Sequence, residues 1–338
     1  MHVVKRTVAT TLGPVNYFIN RAETKGLESH AASQLSLPGI SSLCTTLLFY
    51  KPVQSVNLRC SQGLVAIVPL SYANTSLITL AQVRLLAATV RRMVSSTELS
   101  PIEKAKRQAA YTCAEKNITN GCRLGVGSGS TVKYLVEYLE VSVKSGKLQN
   151  IVCVPTSFLT KKWLLDAGLP VTDLDGTPEL DVCIDGADEV VDSHFTCIKG
   201  GGGCLAREKI VQHAAKKFFV IADSSKESVN LGEHYNHIPI EVLPFAASSV
   251  MRSLPRTEGG TVQLRMATKK CGPVITDNNN YIIDWAFEKN KPRDWKEIQL
   301  RLANTPGIVE TGLFIGVVDK VYFAYPDGSV KELEAKKK

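Results

Sequence analysis

The sequence runs to 338 residues, 44% apolar and 21% charged, the proportions of a globular protein with one large or two modest domains and not of a disordered polyelectrolyte. Its formal net charge of +8 is lopsided, because residues 1–92 carry nine Lys or Arg (Lys5, Arg6, Arg21, Lys25, Lys51, Arg59, Arg84, Arg91 and Arg92) against Glu23 and Glu28. The rest of the chain is close to neutral, which excludes a broad basic face of the kind that holds nucleic acid on a folded body.

Residues 1–97 read as an N-terminal extension of poor order. No Asp precedes residue 97, and Arg with many Ser and Thr is the composition of a transit peptide, although the start offers no obvious amphipathic helix. The charge-free run Cys60–Val83 is long enough to cross a bilayer. Pro69, Asn74, Gln82 and several Ser and Thr interrupt it, so no membrane span is predicted. The nine cysteines (44, 60, 113, 122, 153, 183, 197, 204 and 271) are odd in number, form no Cys-x-x-Cys pair and lie partly inside apolar runs such as Ile151–Val154. Free buried thiols suit a reducing, cytoplasmic setting, and their spacing is wrong for zinc. His234 and His237 lack Cys or carboxylate companions and are read as structural or exposed.

From Ser100 the texture changes. Ile102, Ala105, Ala109, Cys113 and Ile118 share one helical face, with Ser100 as N-cap and Pro101 in first position. Arg123–Gly127 is a short strand running into glycines, followed by a helix over Ser130–Leu139. Strand Asn150–Val154, loop Pro155–Ser157 and helix Phe158–Ala167 repeat the pattern. So do strand Leu180–Ile184 with its acidic loop Asp185–Glu189, and strand Lys217–Ala222 with the loop Asp223–Lys226. Short apolar strands alternating with helices predict an α/β fold, a parallel sheet covered on both faces. Ligands then bind beyond the carboxyl ends of the strands, where each of these polar loops falls.

After about residue 232 the alternation breaks. Ile238–Leu243, Val262–Met266, Val274–Thr276 and Tyr281–Asp284 read as strands, with a hairpin-like link at Asp277–Asn280. Pro292–Ala303 reads as a helix. The prediction is a smaller α+β domain over 233–310, inserted into a larger domain of 98–232 plus 311–333. The larger domain closes with strands Gly312–Val318 and Val321–Tyr325.

Gly125–Thr131 joins a strand to a helix, so its backbone N–H groups and the hydroxyls of Ser128, Ser130 and Thr131 can hold an anion. A dinucleotide loop would need glycine where Ser130 stands and an acid about twenty residues on, and a Walker loop would need Gly-Lys-Ser/Thr. Both are missing, and a small phosphate ester fits better than either; a plain tight turn is the bland alternative. Asp185 and Asp188 could act as acid or base or accept sugar hydroxyls, bind a divalent metal, or cap a turn, while Glu189 could simply be solvated. Lys199-Gly-Gly-Gly-Gly203 offers a run of N–H groups and a cation to an anion. The helix Cys204–Ala215 puts Glu208 in its first turns, facing those glycines, where charge–dipole placement alone could explain it. Lys226 supplies a further point charge for phosphate.

Together these stretches resemble the A-type ribose-5-phosphate isomerases. The matching motifs are Gly-Ser-Gly-Ser-Thr (127–131), Ile-Asp-Gly-Ala-Asp-Glu (184–189), Ile-Lys-Gly-Gly-Gly-Gly (198–203) and Arg-Glu-Lys-Ile-Val (207–211). Ile-Ala-Asp (221–223), Pro-Ile-Glu-Val (239–242), Val-Ile-Thr-Asp (274–277) and Pro-Gly-Ile-Val-Glu-Thr-Gly-Leu-Phe (306–314) add to them. The resemblance spans about residues 100–333 and implies a Rossmann-like parallel-sheet domain with a smaller inserted ferredoxin-like domain. It also implies an enzyme of the non-oxidative pentose phosphate pathway that interconverts ribose 5-phosphate and ribulose 5-phosphate. It implies no metal, no organic cofactor, a small sugar phosphate as the partner, no nucleic acid or membrane, and a homodimer or homotetramer.

By the same resemblance Glu208 is the base, with Asp185, Asp188 and Lys199 around the sugar. Ser128, Gly129, Ser130, Thr131, Gly186, Ala187, Gly200, Gly201, Gly202 and Lys226 complete the substrate site. Lys106 and Arg107 fall near a basic residue that approaches the phosphate. Asp185 is expected to handle the ring-opening proton, and Glu208 to carry the C2 proton to C1 through an enediolate stabilised by Lys199 and glycine N–H groups. Such donors are worth roughly 3 kcal/mol each. Asn279 stands where relatives usually show glycine, and Asn tolerates the positive φ of a turn. The rival readings are an amino-sugar phosphate deaminase on a related fold, and a non-catalytic sensor in which the acid–base residues would be expendable.

Overall fold

The computed structural model describes residues 99–191, 195–289 and 291–335 in full, and in the first 98 residues the backbone of six strands. Those strands are β1 (Val4–Leu12), β2 (Val15–Glu23), β3 (Ser33–Ser36), β4 (Thr46–Phe49), β5 (Ser55–Cys60) and β6 (Gly63–Pro69), in two antiparallel sheets ordered β1-β2-β3 and β4-β5-β6. The chain divides into two units, Met1–Ser95 and Ser96–Lys338. The rest of the predicted extension lies outside the described residues, and with it the question of its order. Among the described residues no helix is long and apolar enough to cross a membrane.

The second unit opens with α1 (Pro101–Asn117), where Ser100 Oγ accepts from Glu103 N at 3.2 Å and Pro101 starts the helix. Its buried face is almost all small, Ala105, Ala109, Ala110, Cys113 and Ala114, which lets the helix axis approach the sheet. That sheet has six strands: β7 (Arg123–Val126), β8 (Val152–Pro155), β9 (Val182–Asp185), β12 (Phe218–Asp223), β19 (Lys320–Ala324) and β20 (Val330–Glu334), in the order β20-β19-β12-β9-β7-β8. Every contact in it is parallel except β19 with β20. Central β12 is buried at all six positions, the continuous apolar run expected of a strand covered on both faces. On one side lie α1 and α2 (Val132–Lys144), with Leu135, Leu139 and Ile221 in one core. On the other, Val211 of α4 (Leu205–His213) packs with Cys183, Val220 and Phe323. Between them in the chain, α3 (Phe158–Asp166) follows β8.

A second, small sheet was not legible beforehand. Its strands are β10 (Glu189–Val191), β11 (Thr196–Ile198), β13 (Glu227–Ser228) and β18 (Leu313–Phe314), ordered β13-β10-β11-β18. The predicted strand Gly312–Val318 shrinks to β18 and joins this sheet, pairing antiparallel with β11 rather than extending the parallel one.

The third layer is a four-stranded antiparallel sheet of β14 (Ile238–Val242), β15 (Thr261–Leu264), β16 (Tyr281–Ala286) and β17 (Ile308–Thr311), ordered β15-β16-β14-β17. Helices α5 (Ala247–Thr257) and α6 (Trp295–Ala303) pack on it through Val250, Leu254, Ile298 and Leu302 around fully buried Trp285. Each such side chain contributes roughly 1.5–3 kcal/mol by leaving water. Helix α5 was not among the predicted elements; Pro244 lies in the 3₁₀ turn before it and Pro255 near its C-terminal end. The predicted strand Val274–Thr276 is instead a loop. Val274 N still donates to Arg265 O (2.8 Å) and Thr276 N to Asn280 O (2.9 Å), but Thr276 Oγ1 accepts from Asn278 N (3.2 Å) and Asn280 N (3.1 Å), which closes a turn in place of an extended ladder. Asn279 in that turn has φ of 64°, the left-handed conformation its type tolerates.

Candidate active site

Four loops meet at the carboxyl ends of β7, β9, β11 and β12 around a cleft of about 230 Å³. Its walls hold Ser128–Thr131, Gly186–Asp188, Lys199–Gly202, Glu208 and Lys226, together with Ile102, Lys106, Asp223 and Ser225. Of the predicted site residues, Asp185 alone is set behind the wall.

Asp185 ends β9 fully buried, and its Oδ1 accepts from Ser128 N (2.8 Å) and Gly186 N (2.7 Å). A Cβ on Gly127 would lie 1.9 Å from that oxygen, so the first glycine of the loop is required by close approach. Lys199, 2% exposed, is delivered by β11. Its Nζ lies 2.8 Å from Asp185 Oδ2 and 3.1 Å from Glu208 Oε2, and donates to the Gly186 carbonyl at 2.5 Å. The ammonium therefore occupies the position between two carboxylates that a metal ion would take. Among the described residues no group of three or more His, Cys, Asp or Glu is placed to hold one.

Glu208 sits in the first turn of α4, 4% exposed and lining the cleft. Its placement is more than charge–dipole compensation, because burial first, and then the charge of Asp185, push its pKa from 4.5 up to about 8 against the pull of Lys199. Burial likewise raises the Asp185 pKa, with Lys199 and the two N–H donors opposing. For Lys199 burial disfavours the charge, but Asp185 and Glu208 together outweigh it and the pKa stands above the ordinary lysine value. Neither Asp185 Oδ2 nor Glu208 Oε2 receives a hydrogen bond beyond its contact with Lys199.

Asp188 faces the cleft, and its Oδ2 accepts from Gly201 N at 2.6 Å. Glu189 is not solvated: it is fully buried and accepts from Ser228 Oγ (2.8 Å), Gly232 N (2.6 Å) and His234 N (2.8 Å), which makes it an anchor between loops. At the far end, Ser128 Oγ and Thr156 Oγ1 share a hydrogen at 2.8 Å. Gly129, Ser130 and Thr131 lead into the free N-terminus of α2. Lys226 stands on a short 3₁₀ turn capped by Asp223, whose Oδ1 accepts from Ser225 N (3.1 Å) and Ser225 Oγ (2.5 Å). Of the basic pair on α1, Lys106 lines the cleft. Arg107 is held outside by Glu137 (2.8 Å) and Tyr111 (3.1 Å).

The sequence placed Thr156, Asp223 and Ser225 in loops at the strand ends without assigning them a role, although an Asp two residues before a Ser after a buried strand is a capping pattern. Ile102, read as sharing the apolar face of its helix, is instead exposed and lines the cleft.

A family model described as ribose 5-phosphate isomerase A (phosphoriboisomerase A) matches residues 152–328. A Caenorhabditis elegans protein named as a probable ribose 5-phosphate isomerase is 68% identical over 251 residues, 73% of this chain and 100% of its own. Among solved structures, ribose 5-phosphate isomerase from Plasmodium falciparum is 33% identical with a TM-score of 0.66, covering 70% of this chain and 100% of that one. A D-ribose-5-phosphate isomerase in complex with phospho-erythronic acid is 36% identical with a TM-score of 0.64, covering 68% and 98%.

Proposed function

The chain belongs to the ribose 5-phosphate isomerase A family, and on that premise we propose that it interconverts ribose 5-phosphate and ribulose 5-phosphate, in the non-oxidative pentose phosphate pathway, with Glu208 as the base. One observation carries the assignment: Glu208 is a buried, cleft-lining carboxylate 3.1 Å from Lys199, with its pKa pushed up to about 8. A base poised near neutral pH can both take and return a proton.

Glu208 removes the proton from C2 of the open-chain aldose, and the C1 carbonyl oxygen becomes the anionic end of an enediolate. Lys199 and the N–H groups of the glycine loop offset that charge. Glu208 then returns the proton to C1 while the O2 hydrogen passes to O1, leaving the ketose with no net change in atoms. Asp188, on the cleft wall, orients the hydroxyls. Ring opening has less support at Asp185, because its Oδ1 is already held by two N–H donors and Lys199 lies on its other oxygen. Asp188 is the better placed carboxylate for that proton. Ser128–Thr131, Lys226 and Lys106 hold the phosphate. Phospho-erythronic acid, the ligand of a relative, fits the same reading, since its carboxylate resembles the two oxygens of an enediolate.

The remaining expectations belong to this reading. The order β15-β16-β14-β17, with α5 and α6 as crossovers, supports a ferredoxin-like domain over 233–310 within a Rossmann-like domain of 98–232 plus 311–333. Exposed Phe158, Leu165 and Phe245 support a homodimer or homotetramer. The free, buried thiols of Cys113, Cys153, Cys183 and Cys197 support a cytoplasmic setting. The direct test is ribulose 5-phosphate formation by the full chain in excess EDTA. Turnover is expected. A folded protein that binds phosphate without turnover would favour the sensor reading.

A further inference from the structure

The antiparallel lobe presents one side chain to the glycine loop that the reaction above does not use. Arg265 follows β15, its side chain 14% exposed. Its backbone is fixed on both sides, by Arg265 N to Ile282 O and Val274 N to Arg265 O, each 2.8 Å. The guanidinium forks. Nε donates to Asp284 Oδ2 at 2.8 Å and Nη2 to Asp284 Oδ1, while Nη1 donates to the carbonyls of Gly200 (2.9 Å) and Gly201 (3.1 Å).

A trans peptide is planar, so its C=O and N–H point in opposite directions. Fixing the Gly200 carbonyl on the Arg265 side turns the Gly201 N–H to the other side, where it meets Asp188 Oδ2 at 2.6 Å. Fixing the Gly201 carbonyl does the same for the Gly202 N–H. The four glycines tie themselves at one point, Gly203 N donating to the Gly200 carbonyl at 2.9 Å, so Arg265 adds a second donor there and supplies at the Gly201 carbonyl a donor that the loop's own backbone does not. Gly200, at φ of 96°, is in a region only glycine enters freely.

We propose that Arg265, clamped by Asp284, is a positioning residue for the isomerase reaction, one that orients the 200–201 and 201–202 peptides and through them Asp188. The proposal rests on the isomerase reading for its kinetic consequence but not for its structural one. It places the control of the sugar-binding N–H groups in the antiparallel lobe, about 65 residues along the chain from the loop.

The test uses the full chain with Arg265→Gln, Arg265→Lys and Asp284→Asn. Amide exchange at Gly200–Gly203 should quicken in all three. For ribose 5-phosphate, kcat should fall about ten- to hundredfold in Arg265→Gln, the scale of a slightly misplaced site, with KM changed less than about threefold. Inhibition by inorganic phosphate should be unchanged, since its anchors lie elsewhere. Arg265→Lys keeps the charge opposite Asp284 but loses the fork, so it should fold and recover part of kcat. Combining Arg265→Gln with Asp284→Asn should cost little more than Arg265→Gln alone. Wild-type exchange and kcat in a folded variant overturn the role, as does an equal loss of phosphate inhibition and kcat, which would mark general damage. Should Arg265→Gln fail to fold, Arg265→Lys and Asp284→Asn decide by the same readouts. An inert wild type would overturn the isomerase reading, and the exchange result would still judge the positioning role.

Discussion

On the proposed reading the cleft has an acid–base end and a phosphate end, and the two are built on opposite plans. Asp185, Lys199 and Glu208 are at most 4% exposed, with one ammonium shared between two carboxylates. Gly129, Ser130 and Ser225 are exposed, and Lys106 and Lys226 are half-buried. The difference follows from the tasks. A base that must exchange a carbon-bound proton gains from desolvation, which raises its pKa, and from partners already in place when charge develops. A phosphate dianion arrives hydrated, and backbone N–H groups with flexible lysines can meet it while water remains. Changes at the buried end should therefore act on turnover and stability, and changes at the open end on binding.

The harshest way to break that contrast is Lys199→Met. It leaves Asp185 and Glu208 buried without a counter-charge, so unfolding free energy should drop by about 3–5 kcal/mol and isomerase activity should vanish. A denaturation midpoint near wild type would show that the cluster is less desolvated than its burial says. Lys226→Ala should raise KM about tenfold and leave kcat within about threefold, as expected where binding to ground and transition states is lost equally. A kcat loss larger than the KM rise would erase the division between the two ends. The smallest and most specific effect is expected from Asp185→Asn. Glu208 works deprotonated, so its raised pKa places the acid limb of kcat/KM near pH 8 and activity falls below it. Removing the Asp185 charge takes away one cause of the elevation, and the limb should move to lower pH, though burial keeps it above 4.5. A limb that stays in place or moves upward would contradict the cause assigned to the shift.

How much of this was legible beforehand depends on the length over which each pattern repeats. The parallel strands could be read because runs such as Phe218–Ala222 are buried throughout, and their ends fell within a residue or two. The small sheet escaped because β13 and β18 are two residues long and β10 and β11 three, too short for alternation to register. Val274–Thr276 looked like a strand by composition, but the Thr276 hydroxyl took the backbone donors of its own turn. In the site, the loop motifs meet around one cleft while Arg107 stays outside it, and two carboxylates three positions apart carried no sign that Gly186 and Ala187 would leave Asp188 on the wall and Asp185 behind it. Arg265 was invisible for a different reason: its function lies in carbonyls 64 and 65 residues away, and nothing local marks it.

The central claim is that Glu208 moves the proton between C2 and C1. The most direct measurement follows deuterium entry into ribose 5-phosphate and its product in D₂O by NMR, for wild type and Glu208→Gln, with phospho-erythronic acid binding measured on both. The account predicts deuterium incorporation at the exchanging carbon by the wild type, to the extent that the Glu208 carboxyl exchanges with solvent before it returns the proton. For the variant it predicts near-normal affinity for the acid and an incorporation rate lower by at least about a thousandfold. Incorporation at the wild-type rate by a folded, binding Glu208→Gln would assign the proton to another group.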